Sequence, residues 1–511
     1  MGARPIRSRF AFDNRKFVRI ATVPALLLLF SLLCGLFVTL LGPQHDEVLF
    51  AGILLPPYEY THSLDWGGFE FLLMLDYYLG ALKGWLYAPL IAWFPTSLWT
   101  LRIPVILMGA ATIWLLFRML EPRVGYLPAA CVCLLLAVDP IYILTTTFDW
   151  GPCVLQRLLL VGSIAAAVAY RERPRWWMAA LAGLCAGLAV WDKLSAAWML
   201  FGCGAAALLV YGREVWRSLK PGPVAAFVAS LLAGASPAIY ANWGEWGKAA
   251  ARNAALADST LAVKAHRLWI SLDGSALFAY LTRATDVDSH AGAWLLVLVA
   301  VAIPLWRREI VWALLALALS VCAMFATVGG AGGGHHLALL WPLPQMAVGL
   351  ALGRWMGSAQ KMVSIAAAAM LIVAVASSLR VDYGYYQRIV DYGSAVRWTD
   401  GSEGLEQALT TRRPVRVYAM DWGIVGPMRY LSGGRLPLSY GGDLSPQVLR
   451  PMLASPDYLF VAHPEGSELI VGTRQRLHDY AKTAGYTEQT LARVRDARGT
   501  TVFEIYRFRR R

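Results

Sequence analysis

Charge is scarce in this 511-residue chain: Asp, Glu, Lys and Arg make up 15% of it, against 58% hydrophobic residues. Soluble domains carry about a quarter charged residues, so the composition excludes an ordinary soluble enzyme and reads as a polytopic membrane protein. The scarcity is uneven. Windows of about twenty residues almost free of charge recur from Ile20 to Ser378, after which the composition is that of a soluble domain. Cysteine is missing from that tail, and Cys34, Cys131, Cys133, Cys153, Cys185, Cys203 and Cys322 lie in or beside apolar runs. They read as small buried hydrophobes, with no disulfide or zinc framework. The tail also lacks a G-x-G-x-x-G fingerprint, a P-loop and a nucleophile elbow, which assigns it no catalysis. There is no repeat of fixed period and no inverted halves of the kind many transporters show; Asp-Trp-Gly recurs at 65, 149 and 421 in unlike contexts. No A-x-A-like cleavage site follows the first apolar run, which is too long for a signal-peptide core and reads as a span.

What charge there is leans basic, with 46 Lys and Arg against 33 Asp and Glu and a net charge of +13. The basic residues cluster in short loops between apolar runs, which is the positive-inside pattern and not a nucleic-acid footprint. Arg15, Lys16 and Arg19 place the amino-terminal segment in the cytoplasm. Eleven spans then alternate so that Arg118 and Arg123, Arg171 to Arg175, Arg213 to Lys220, Arg307 with Arg308, and Arg354 with Lys361 all fall inside. The tail ends outside. Were Gly67 to Phe94 to cross the membrane once, every later basic loop would move out, so parity requires zero or two crossings there.

Residues 1–380 thus form a membrane domain, with a first outer loop over 42–96 predicted to carry interfacial helices because Asp65, Glu70, Asp76 and Lys83 interrupt its aromatics. Residues 381–511 are predicted to form a small periplasmic α/β domain, with strands at Val415–Met420, Tyr458–Ala462 and Thr501–Tyr506 and a helix over Gln475–Ala484.

Every outward loop presents polar residues at the membrane edge: Asp46 and Glu47, Asp149, Asp192 with Lys193, and His335 with His336. An ionised residue costs about 2.5–3.5 kcal/mol at mid-bilayer, so carboxylates kept at the boundary read as a site. Asp46 and Glu47 can serve as base and cation ligand, or simply cap the following helix. Lys83 among aromatics can meet a phosphate or snorkel to an ordinary headgroup. Arg102 and Lys193 are further cations. Asp149 can hold sugar hydroxyls with Trp150 as a stacking face, or cap a helix start. His335 and His336 follow a glycine-rich turn; with Asp46 or Glu47 they form a mixed O/N set for a divalent cation, or hydrogen-bond a substrate, or belong to a solvated turn.

The acidic pair after the first span, the long first outer loop, Leu101-Arg102-Ile103-Pro104 opening the second span, the eleven-span layout and the outer tail resemble the GT-C glycosyltransferases, in particular the protein O-mannosyltransferase and lipid A aminoarabinose transferase branch of glycosyltransferase family 39. The resemblance implies transfer of a sugar from a polyprenyl-phosphate donor to a periplasmic acceptor, a lipid, glycan or protein hydroxyl. It implies that Asp46 is the first-loop general base, that Glu47 is its acidic neighbour, and that the chain sits in a bacterial inner membrane. A lipid-phosphate leaving group needs no strong acid, only deprotonation of the attacking hydroxyl and positive charge at the departing phosphate. The competing classes are a secondary transporter or flippase of an amphiphilic glycolipid, which needs ionisable residues inside the bundle, and a non-catalytic assembly protein acting through its tail.

Overall fold

The computed structural model describes residues 14–151, 153–244, 260–283, 290–301, 307–327, 334–441 and 446–510. Helix α1 (Asn14–Gly35) is followed by the short α2 (His45–Ala51), a sheet of β1 (His62–Trp66), β2 (Phe69–Asp76) and β3 (Leu79–Gly80), and α3 (Leu82–Trp93). The bundle continues with α4 (Leu98–Val124), α5 (Tyr126–Ala137), α6 (Pro140–Thr147), α7 (Val154–Glu172), α8 (Trp176–Asp192), α9 (Ala196–Ser218) and α10 (Pro221–Asn242). Then come α11 (Leu261–Leu272), α12 (Ala291–Val301), α13 (Arg308–Ala326), α14 (Leu343–Met356) and α15 (Lys361–Tyr392).

Each predicted apolar segment is helical. Among the described residues six helices (α4, α7, α9, α10, α13 and α15) are long and apolar enough to cross a membrane, and the pair α5 and α6, bent by 57°, makes up to seven. The chain is a multi-pass helical membrane protein. The bend follows from local chemistry: Asp139 accepts from the Tyr142 amide at 2.9 Å as an N-cap, and Pro140 opens α6 where its missing N–H costs nothing. Close packing relies on small residues. A Cβ on Gly183 of α8 would stand 2.1 Å from the Phe227 carbonyl oxygen of α10, so only glycine lets these backbones touch.

Two expectations need correction. The middle of the first outer loop is an antiparallel sheet in register His62 to Met74 through Trp66 to Phe69, with helices only on either side of it. Gly67 and Gly68 both have positive φ, and the Gly68 amide donates to Asp65 Oδ1 at 2.9 Å. A two-residue turn with positive φ at both positions matches strand twist, so this Gly-Gly pair decides for a hairpin where interrupted hydrophobicity suggests interfacial helices. The last membrane helix also runs to Tyr392, past the expected boundary at 380, before Gly393 breaks it at φ 88°.

Beyond α15, α16 (Ser402–Arg412), β4 (Arg416–Ala419), α17 (Val425–Leu431), β5 (Leu438–Tyr440), α18 (Pro446–Met452), β6 (Tyr458–Ala462), α19 (Thr473–Thr483), β7 (Tyr486–Arg495) and β8 (Thr501–Arg510) follow. The sheet order is β5-β4-β6-β8-β7, parallel in its first three strands and antiparallel at β8 and β7. Alternation along the strands separates two cores: Val417, Val461, Phe503 and Ile505 face one side, and Tyr418, Phe460, Tyr506 and Phe508 the other.

This sheet is joined to the first outer loop through α17, which packs on α2. Arg429, buried, donates to the Pro57 carbonyl at 2.8 Å and pairs with Glu59 at 2.9 Å. The Tyr430 hydroxyl donates to the Ser97 carbonyl at 3.1 Å, and the Gly42 amide to the Trp398 carbonyl at 2.9 Å.

Candidate functional site

The short α2 is started by Gln44, whose side-chain oxygen accepts from the amides of Asp46 (2.7 Å) and Glu47 (3.2 Å), while its own amide donates to Glu47 Oε2 at 3.3 Å. This capping box satisfies the helix start and relieves Asp46 of that duty. Glu47 is then clamped by Arg102, with Nε to Oε1 at 2.8 Å and Nη2 to Oε2 at 2.9 Å. The same guanidinium donates to the carbonyls of Val38 (2.6 Å), Leu41 (2.8 Å) and Gly42 (3.0 Å), and stacks 4.7 Å from the Phe148 ring centroid. Arg102 therefore closes the frayed end of the first span. Neither it nor Glu47 is free for a ligand.

Asp46 is the half-buried member of the pair. On one side His45 lies 5.2 Å from the Trp422 ring of the tail. On the other its charge reaches Tyr280, whose phenol is pushed up to about 12, first by burial and then by Asp46, with Arg397 opposing. Tyr280 therefore keeps its proton at neutral pH. The Arg397 guanidinium lies 4.6 Å from the Tyr280 ring centroid.

The second polar cluster gathers Lys83, Asp149, Asp192 and Lys193. Lys83 Nζ pairs with Asp149 Oδ2 at 2.8 Å, both side chains buried, and lies 4.0 Å over the Phe50 ring. Asp149 Oδ1 accepts from the amides of Cys153 (2.8 Å) and Val154 (3.2 Å), so the helix-cap reading holds for it. Lys193, in the turn after α8, donates to the Gly151 carbonyl at 3.2 Å. Burial lowers its pKa, and Asp192, Asp149 and Asp46 are among the charges that oppose the shift. Asp192 is fully buried, and among the described residues neither of its carboxylate oxygens has a hydrogen-bond partner.

The first-loop sheet holds this cluster in place. Leu79 bridges to Lys193, the Leu194 amide donates to the Tyr78 carbonyl at 3.1 Å, and the Trp191 indole donates to the Leu73 carbonyl at 2.9 Å. A Cβ on Gly80 would stand 1.7 Å from the Trp191 carbonyl oxygen, so this contact too requires glycine.

Trp150 does not present a stacking face to solvent. It is buried, stacked on Tyr280 at 5.1 Å and edge-on to Trp398 at 5.3 Å. His335 and His336 lie in a short helix, Gly334–Leu337, which packs against α11. The side chain of His335 and the glycine-rich turn over 328–333 fall outside the described residues. Among the described residues no three His, Cys, Asp or Glu side chains group to hold a metal, and the Glu47 carboxylate is already taken by Arg102. The predicted cation set of Asp46, Glu47 and His335 includes a side chain that lies outside the described residues.

Sequence reasoning missed Gln44, Tyr280 and Arg397. Gln44 was visible as the first residue of a Gln-x-x-Glu capping pattern, whereas Tyr280 and Arg397 sit in segments with no motif. Arg157 also joins the buried polar set, donating to Thr145 and Thr146, but on the bundle side.

The profile of the dolichyl-phosphate-mannose-protein mannosyltransferase family matches residues 81–241. No curated protein matches the chain in a sequence search. Among solved structures, ArnT from Cupriavidus metallidurans bound to undecaprenyl phosphate superposes with a TM-score of 0.62 at 12% identity, covering 98% of both chains. The same protein in its apo state gives 0.57 at 13% identity, covering 97% of this chain and 98% of that one. In fold over nearly its whole length, and in sequence over 81–241, the chain is similar to the GT-C membrane glycosyltransferases of the protein O-mannosyltransferase and ArnT type.

Proposed function

We propose that this protein transfers a sugar from a polyprenyl-phosphate-linked donor to a hydroxyl of a periplasmic lipid, glycan or protein, with inversion at the anomeric carbon. Asp46 is the general base. It removes the acceptor proton as the hydroxyl oxygen attacks the anomeric carbon, and the bond from that carbon to the phosphate oxygen breaks with its electron pair leaving on polyprenyl phosphate. Lys83 and Lys193 supply the positive charge that the departing phosphate needs, inside a low-dielectric setting where each ammonium counts for more than in water. The reading includes eleven spans in a bacterial inner membrane, with residues after the last span forming a periplasmic domain.

The observation that carries it is the division of labour on α2. Gln44 caps the helix and Arg102 neutralises Glu47, which leaves Asp46 as the half-buried carboxylate whose field reaches Lys193 and Tyr280. A positioned base is worth about 10²- to 10⁴-fold in rate. Asp46→Asn, at wild-type expression, is therefore expected to lower sugar transfer from a polyprenyl-phosphate donor in isolated membranes by that range. A wild-type rate would remove Asp46 from the mechanism.

A further inference from the structure

A cavity of about 410 Å³ lies between the segments carrying Thr282 with Arg283 and Ala395 with Val396 and the carboxyl-terminal sheet at Thr501 and Val502. Its volume is within the range of about 300–1,000 Å³ typical of small-molecule sites. Its lining is mixed: Thr282, Arg283, Ser467, Thr500 and Thr501 bring hydroxyls and a guanidinium, and Ala395, Val396 and Val502 are the apolar members. Hydroxyls that both donate and accept, beside a fork of N–H donors, match the vicinal hydroxyls of a saccharide and the carboxylate of a uronate.

Two chain segments form one wall and lead on toward Asp46. Thr282 bridges to Ser394, the Arg283 amide donates to the Gly393 carbonyl at 3.3 Å, and the Ala395 amide to the Leu281 carbonyl at 3.0 Å. One or two residues further along these segments stand Tyr280 and Arg397, stacked on each other, and Tyr280 lies in the field of Asp46. The opposite wall is tied to the same place. The loop carrying Ser467 is fixed by Asp421, which accepts from the amides of Leu469 (2.9 Å) and Ile470 (2.8 Å), and the next residue, Trp422, packs on His45.

We propose that this cavity binds a saccharide of the acceptor, preferring one with an acidic sugar, and holds it in line with Asp46. Arg283 is the cation that the acidic group meets, in exchange for its contact with Asp496 at 3.6 Å. The proposal rests on the transferase reading for its role and not for its test. Saturation-transfer NMR on the full chain in detergent, with maltose as the neutral probe and a glucuronate-terminated disaccharide as the acidic one, reads binding without turnover.

The wild type is expected to saturate the acidic disaccharide at least five-fold more tightly than maltose. Arg283→Gln should bring the two to the same affinity, and Ser467→Trp, which fills the cavity, should abolish both signals. Ser467→Gln, a smaller intrusion, should weaken both and guards against a folding defect in the larger variant. Absence of any signal in the wild type, or an unchanged signal in a normally eluting Ser467→Trp, overturns the proposal. The readout is binding and not turnover, so a wild-type transfer rate in Asp46→Asn would sink the transferase reading and leave the cavity standing, whereas loss of the saccharide signal sinks the cavity alone.

Discussion

The two polar clusters beside the first loop are built from the same residue types and use them differently. Around Glu47 and Arg102 every strong donor and acceptor is matched: two bonds within the ion pair, three from the guanidinium to backbone carbonyls, and a capping box on the carboxylate's own helix. Around Lys83, Asp149, Asp192 and Lys193 the matching is incomplete, because a fully buried carboxylate is left without a hydrogen bond among the described residues. Burying polar groups unsatisfied costs stability. The first cluster thus reads as a fastener between the first span, the first outer loop and α4; in the proposed transferase the second is the one a ligand would complete.

The comparison can be broken from the fastener side first. Removing one partner of a buried ion pair typically costs about 3–5 kcal/mol, so we predict a loss of that size for Arg102→Met in thermal unfolding in detergent, together with a fall in membrane abundance. A loss under about 1 kcal/mol would mean that Glu47 is not held as described. From the site side, Lys83→Met is predicted to lower transfer at least tenfold, chiefly in kcat, because it removes charge at the departing phosphate. An effect confined to stability, with unchanged kcat, would return Lys83 to the fastener class.

Asp192→Asn sharpens the contrast. It removes a buried carboxyl group with no hydrogen-bond partner among the described residues, so stability is predicted to stay within about 1 kcal/mol of wild type or to rise, while transfer falls severalfold through the changed surroundings of Lys193. A destabilisation equal to that of Arg102→Met would erase the difference between the clusters.

The smallest effect concerns the tail, whose Trp422 packs on His45. His463 is buried, donates to the Val502 carbonyl at 2.9 Å, and has its pKa lowered by burial. The unfolded chain, with an imidazole near its ordinary value of about 6.5, binds more protons than the folded one as pH falls below that value. Stability is full above it and declines below. We predict that the tail loosens between about pH 6.5 and 5, read by the emission of Trp422 against His45, and that His463→Gln removes this slope.

Much of the fold is legible in the sequence because a membrane span needs only a run of apolar residues, and each run from Ile20 to Ser378 falls on a helix. The strands at Arg416–Ala419, Tyr458–Ala462 and Thr501–Arg510 are legible through alternation. The short β5 and the mostly exposed β7 carry no such signal. At the site the outward acids and cations are visible one by one, but their pairings are not. Glu47 meets Arg102 across 55 residues and Lys83 meets Asp149 across 66, distances over which no local pattern operates. For the same reason the sequence offers Trp150 as a stacking face without showing that Tyr280 and Trp398 pack on it.

The most direct test of the central claim compares cells with and without this protein by mass spectrometry of lipid-linked sugars and periplasmic glycoconjugates. The account predicts that its loss, or Asp46→Asn in its place, makes one polyprenyl-phosphate sugar accumulate while one sugar-bearing periplasmic product disappears. Unchanged pools of both would contradict it.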